Sequence, residues 1–309
     1  MKKIFLRALK ICGGIVFLVV LFRIIGIEEI IEAFLSLEVR YLFLIAGLIL
    51  LSILTDPLRF LVLYWPVCEK KINVKEIYKH RLFSQIIGTF TPSRVGELSI
   101  LYTMKKKYNV KIKKMAYAMA IDKGITFICY LIFGIIGLIV ILNDRINAQK
   151  MIGIGLILSI MLGLYLFIFN RFYAKSKSRI IKFFVQSVSF FLYCLKEKKR
   201  FLMMNVMMTF LAILLVALIG KITLFAFGYS VSFKELFYLN NIIGLLGILP
   251  LNILGVTAKE LGALYLFTFI KIPAHITASM LVIVITLRYI IYFIWFVSVY
   301  RFQYQRNKK

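Results

Sequence analysis

Apolar runs alternate along this chain with short clusters of lysine and arginine. A helix that crosses a bilayer needs about 20 predominantly apolar residues. Runs over 11–27, 41–65, 115–142, 151–169, 201–227 and 276–299 approach or exceed that length. Two further apolar stretches, 82–104 and 236–270, are interrupted near their middles by proline and glycine. The pattern predicts an all-α polytopic membrane protein with about six full spans and two broken segments.

The polar positions orient these elements. Lys2, Lys3, Arg7 and Lys10 precede the first run, and no small-residue cleavage site follows it, so an uncleaved first helix is expected. Glu28, Glu29, Glu32 and Glu38 make the next loop acidic and external. The basic clusters Lys70, Lys71, Lys75, Lys79, Arg81 and Lys105, Lys106, Lys107, Lys111, Lys113, Lys114 flank the first broken segment. Cytoplasmic loops concentrate lysine and arginine, so a segment bounded by two such loops dips into the membrane and returns as a re-entrant hairpin. Residues 171–200 hold nine basic residues and one acid among Phe, Ile and Val clusters. They read as a cytoplasmic helix lying at the interface, with binding to anionic headgroups or simple topology control as its role. The second broken segment enters from the external side, and both termini fall in the cytoplasm of a cell whose plasma membrane holds the protein.

Composition narrows the class. With 62% hydrophobic residues and a mean hydropathy of +0.92, 309 residues carry more apolar surface than a soluble fold of this size hides. The net charge of +27 lies in short loops between spans and forms no basic domain, which argues against nucleic acid as a partner. Cys12, Cys68, Cys129 and Cys194 are scattered, with only His80 and His275 as companions, so neither a disulfide framework nor a metal site is expected. No nucleotide-binding glycine pattern or catalytic triad is present, and no cofactor is expected.

Candidate chemistry lies at the two breaks. The first is Gly88-Thr89-Phe90-Thr91-Pro92-Ser93-Arg94-Val95-Gly96-Glu97, and the second runs from Gly247 through Pro250, Asn252 and Gly255 to Lys259 and Glu260. Irregular charged backbone at membrane depth persists only inside protein or along a polar cavity, and ionisable residues there are functional candidates. The charges inside apolar segments are Arg23, Arg59, Arg94, Lys123, Lys221, Lys259 and Arg288 against Asp56, Glu97, Asp122 and Glu260. Cations outnumber anions, and an anionic ligand such as a phosphate headgroup would balance them. Arg94 suits that role because guanidinium holds phosphate through two parallel hydrogen bonds. A structural reading stands beside it, with Arg94/Glu97 and Asp56/Arg59 as pairs that fix the fold and Arg23, Lys221 and Arg288 reaching toward the interface.

The two breaks also sit in similar surroundings. Lys75-Glu76 precedes Pro92 as Lys234-Glu235 precedes Pro250, and a long span follows each break after Lys111-Ile112 or Lys271-Ile272. Because the two units enter from opposite sides, halves of roughly 41–142 and 201–299 are expected to form an inverted repeat within one membrane domain, with a site between them.

Pro92-Ser93-Arg94-Val95-Gly96-Glu97, with the basic linker and the Ala116-Tyr117-Ala118-Met119-Ala120 opening that follow, resembles the flippase-like family of lysylphosphatidylglycerol synthase transmembrane regions. Leu249-Pro250, Gly255 and Lys259-Glu260 resemble its second motif. This chain has Asp122-Lys123 where the family often has Glu-Arg, and Lys259-Glu260 where it usually has Arg-Glu. The resemblance implies movement or presentation of lipid-linked molecules, such as aminoacylated phospholipids or polyprenyl-phosphate sugars.

The expected function is therefore flipping of an anionic lipid headgroup. Its site would comprise Pro92, Arg94, Gly96, Glu97, Asp122, Lys123, Pro250, Asn252, Gly255, Lys259 and Glu260, with Asp56, Arg59 and Arg288 in secondary roles. Two alternatives are a membrane-embedded transferase, with Glu97 or Asp122 as general base, and a non-catalytic partner of a lipid- or glycan-modifying enzyme.

Overall fold

A computed structural model describes residues 28, 32, 35, 37–67, 72–91, 96–143, 179–247, 252, 253 and 256–306. It is an all-α membrane protein. Helix α1 spans Val39–Tyr64 and runs into a 3-10 turn at Trp65–Val67. Helices α2, Val74–Phe90, and α3, Ser99–Tyr108, are the two arms of the first broken segment. Then come α4, Ile112–Asn143, α5, Arg179–Glu197, and α6, Lys199–Ala226. The second broken segment comprises α7, Phe233–Leu246, and α8, Ala258–Leu266. Between them β1, Asn252–Ile253, pairs antiparallel with β2, Val256–Thr257. A 3-10 turn at Phe267–Ile270 leads to the final helix α9, Ala274–Arg306.

Among the described residues, four helices are long and apolar enough to cross a membrane, at Val39–Tyr64, Ile112–Val140, Lys199–Ala226 and Ala274–Trp295. They coincide with four of the six expected spans. The other two, over 11–27 and 151–169, lie outside the described residues.

One boundary differs from the expectation with consequences for the site. The basic run Lys75, Lys79, Arg81 reads in the sequence as a cytoplasmic loop, but α2 begins at Val74, behind an Asn73 cap whose side chain accepts from the Lys75 backbone N–H at 2.9 Å. Helical geometry brings residues four apart onto one face. Ile77 and Arg81 are therefore turned inward together, and both are buried.

Pro57 does not end α1. A proline removes one backbone donor from the helix, and polar side chains commonly satisfy the freed groups in membrane helices. Here the freed carbonyl is that of Ile53, and the Leu54 carbonyl next to it accepts from the Tyr78 hydroxyl of α2 at 3.2 Å. The proline region is thereby joined to the first broken segment.

Two apolar cores lie around the two breaks. Phe60, Tyr64, Ile77, Ile100, Met104 and Met115 belong to the first, which draws on α1 to α4. The second includes Leu224, Leu236, Ile243, Phe267 and Met280, from α6 to α9. A seam of glycines brings α4 against α7. A Cβ at Gly137 would meet Tyr238 Cβ at 2.6 Å, and one at Gly244 would meet the Tyr130 ring at 2.9 Å. Glycine allows α4 and α7 to approach closely, a recurrent basis of helix association in lipid.

Candidate functional site

The site forms where the first broken segment meets α1, α4 and α6. Its scaffold is the close approach of the chain on either side of the break. A Cβ at Gly88 would lie 2.5 Å from Glu97 Cγ, and one at Gly96 would lie 2.7 Å from both the carbonyl carbon and the oxygen of Ile87. Backbone atoms cannot yield as a side-chain tip can, so glycine at 96 is a steric requirement. The Gly96 N–H also donates to Thr91 Oγ1 at 2.7 Å. These contacts press the end of α2 against residues 96–97 and turn Glu97 into the protein, where it is buried.

Glu97 is the meeting point of two cations. Arg81 Nη2 lies 3.1 Å from its Oε2, and Lys123 Nζ lies 3.1 Å from the same oxygen. Arg81 reaches back across α2 to Asp56 Oδ2 at 3.4 Å, and its guanidinium lies over the Phe60 ring, 5.5 Å from the centroid. Its side chain is 1% exposed, while that of Lys123 is 47% exposed. The pair of cations on Glu97 therefore has a buried member and one open to the surroundings of α4. Arg81 Nε and Nη1 have no hydrogen-bond partner among the described residues.

A second group of bonds locks α1 to α4 and α6. Arg59 Nη2 donates to Asp122 Oδ1 at 2.9 Å and to Thr126 Oγ1 at 2.6 Å, and Arg59 Nη1 lies 3.6 Å from Asp56 Oδ1. Asn205 completes the join from α6: its Nδ2 donates to the Arg59 carbonyl at 2.9 Å and to Asp122 Oδ1 at 3.0 Å. Asp56 bridges the two groups by facing both Arg59 and Arg81. A buried ion pair gains little net stability, but removing one partner strands the other charge at high cost. Consequently these residues fix the arrangement of the helices more than they add to its stability.

The structure thus brings Glu97, Asp122 and Lys123 together with Asp56 and Arg59. Asp122 and Lys123, adjacent in sequence, face different partners: the carboxylate points to Arg59 and the amine to Glu97. The expected Asp56/Arg59 pair is present, although the closest carboxylate to Arg59 is that of Asp122. Pro92 and Arg94 lie outside the described residues, as do Pro250 and Gly255. Asn252 sits in β1, paired in register with Thr257. Lys259 and Glu260 open α8, and the Lys259 stem lies against Gly247, whose added Cβ would be 3.6 Å away. Arg288 is on α9 and half-buried.

Two side chains of this cluster escape the sequence reading. Arg81 is hidden in a basic run, and Asn205 is a lone amide in an apolar span. Adding Arg81 also changes the charge balance at this site. Arg59, Arg81 and Lys123 face Asp56, Glu97 and Asp122, three cations against three carboxylates. Among the described residues of this cluster, the cationic surplus read along the apolar segments is not found.

A comparison with curated proteins returns no match. A family model described as the lysylphosphatidylglycerol synthase TM region matches residues 7–299, which takes in both broken segments and all the helices of the site. The chain belongs to that family of membrane proteins.

Proposed function

We propose that the protein moves an anionic lipid headgroup between the leaflets of the plasma membrane, using the first break as the headgroup's binding point. The observation that carries this reading is the Arg81–Glu97–Lys123 chain at a glycine-built break, buried at one end and half-exposed at the other. A phosphate that approaches Lys123 exchanges for Glu97 as the partner of the amine. Glu97 retains Arg81, so the buried cation stays paired throughout. Arg94, on the same break, supplies a guanidinium for a phosphate oxygen. The match to a lipid-modifying enzyme's transmembrane region supports a lipid as the cargo.

The packing supports a repeat that exposes this point alternately to either side. Helix α1 packs on α2 as α6 packs on α7, and α3 packs on α4 as α8 packs on α9. Likewise α1 contacts α4 and α9, and α6 contacts α9 and α4. Two related bundles rocking against each other would carry a site between them from one side to the other. The positive-inside rule supports cytoplasmic termini.

Lipid movement in proteoliposomes tests the proposal. Labelled phosphatidylglycerol, an aminoacylated phosphatidylglycerol and a polyprenyl-phosphate sugar are each reconstituted with wild type, Arg94→Ala or Glu97→Gln. One lipid should cross faster with wild type than in protein-free vesicles, and both variants should lose the gain. Wild-type rates equal to those of empty vesicles for every lipid would reject the reading.

A further inference from the structure

The first hairpin buries hydrogen-bonding groups that its own side chains leave unmet. Arg81 uses Nη2 for both Asp56 and Glu97. Its Nε and Nη1 are buried donors without a partner among the described residues, on a side chain that is 1% exposed. The Phe60 ring covers one face of the guanidinium. Gln85, one turn further along α2, buries its Oε1 without a donor, and on the other arm Ser99 buries its Oγ without a partner. The hairpin's other described hydroxyls are met locally. Ser84 donates to the Arg81 carbonyl at 2.7 Å, Thr89 to that of Gln85 at 3.0 Å, Thr91 to that of Gly88 at 3.2 Å and Thr103 to that of Ser99 at 3.1 Å. Ser99 opens α3, with no earlier turn of that helix to offer it a carbonyl.

Buried polar groups are almost always hydrogen-bonded, to ordered water or a ligand where the protein offers nothing. Arg81 and Gln85 share a face of α2 because they stand four residues apart. Ser99 follows by two residues the Glu97 that Arg81 holds, and α2 packs on α3. The set joins donors on a cation to an amide oxygen and a hydroxyl. A phosphate satisfies the guanidinium but sets an acceptor against the Gln85 oxygen. An ammonium satisfies that oxygen but is repelled by Arg81. A hydroxyl accepts from the first and donates to the second. The place also suits a headgroup. Arg81 and Lys123 contact the same oxygen of Glu97, each at 3.1 Å, so the pocket begins two hydrogen-bond lengths from the exposed amine.

We propose that Arg81, Gln85 and Ser99 bind a hydroxyl of the lipid headgroup while its phosphate sits at Lys123, a step that rests on the lipid transport proposed above. The lipids accepted at the break are then anionic ones with a hydroxyl close to the phosphate, and Gln85 and Ser99 determine that specificity. Water offers the same hydroxyl chemistry. The adjoining phosphate point favours the headgroup.

Native mass spectrometry of the full chain, released from detergent micelles with phosphatidylglycerol or phosphatidylmethanol, tests it. Both lipids carry one negative charge, and only the first has headgroup hydroxyls. Wild type should retain phosphatidylglycerol about tenfold better, the effect of one hydrogen bond to a charged donor. Gln85→Leu and Ser99→Ala should each reduce that preference, and Ser99→Thr, which keeps a hydroxyl, should preserve it. Equal retention by wild type would assign the pocket to water alone and overturn the proposal, as would a preference that survives in both Gln85→Leu and Ser99→Ala. Movement of the same two lipids in proteoliposomes separates this pocket from transport itself. Equal movement of both by wild type overturns the hydroxyl specificity and leaves transport standing. Preferential retention with movement of neither supports the pocket and rejects transport. Should the variants not fold, phosphatidylglycerol with a diazirine in its headgroup is photolysed with wild type. Labelling of the peptides that contain Gln85 or Ser99 supports the site, and labelling confined to other peptides rejects it.

Discussion

Asp122 shows how much a single carboxylate organises. One oxygen accepts from Arg59 and Asn205, so three helices converge on it. The Arg59 side chain is 7% exposed, and without Asp122 its carboxylate partner would be Asp56, at the longer distance of 3.6 Å and shared with Arg81. Asp122→Ala is therefore expected to destabilise the folded protein by about 3 kcal/mol, the lower end of the cost of breaking a buried pair. Asn205→Ala removes a donor to that charged oxygen and should cost about 1.5–3 kcal/mol. Thermal unfolding of both variants in detergent checks the order, and an Asp122→Ala protein as stable as wild type would refute the role given to the carboxylate. These residues were only partly legible in the sequence. A charge inside an apolar span is conspicuous, so Asp56, Arg59, Asp122 and Lys123 stood out. Arg81 did not, because it follows Lys75 and Lys79 and shares their sign. The signal lay in the spacing: Ile77, Arg81, Ser84 and Gly88 recur at helical intervals and share a face. Asn205, four residues before Thr209 in an otherwise apolar run, was a similar, quieter clue.

At the scale of elements, the first broken segment is a hairpin fastened at both ends. Its tip is held by Gly88 against Glu97 and by Arg81. At its base, Glu76 on the first turn of α2 accepts from Lys107 Nζ at 2.7 Å and from the Tyr108 hydroxyl at 2.8 Å, both on α3. Hydrogen bonds from Lys107 and Tyr108 hold the Glu76 carboxyl down to about 2, against an ordinary 4.5. A carboxylate whose folded value is depressed contributes its full stabilisation above its unfolded value, and loses it as the pH falls toward the folded one. The clamp should therefore weaken between about pH 4.5 and about pH 2. Glu76→Gln should melt below wild type at neutral pH, and the gap should narrow at about pH 3. A gap independent of pH would contradict the clamp. Proline and glycine announced both breaks in the sequence, because proline removes a helical hydrogen-bond donor and glycine raises the entropic cost of a helix. They gave less information on where the arms begin, since the polar first turns of α2 look like loop. The short β1–β2 pairing inside the second break carries no such signal in two residues per strand.

Among the described residues, the most extensive helix contacts are α1 with α6 and α4 with α7. Among the described residues, the α4–α7 seam has no counterpart of similar extent between α9 and α2. The described residues of the first break include buried charge, and Lys259 and Glu260 lie at the start of α8. The overall class was legible because apolar runs of spanning length leave few alternatives. The pairing of helices was not, because lipid-facing and protein-facing apolar residues look alike in sequence.

The most direct test of the account is the charge selectivity of lipid movement. In proteoliposomes, labelled phosphatidylglycerol and phosphatidylcholine are compared for wild type and Lys123→Gln. If Lys123 exchanges Glu97 for a phosphate, wild type moves the anionic lipid faster, and the variant loses that preference while remaining folded. Equal rates for the two lipids in wild type, or a preference that survives in Lys123→Gln, would contradict it.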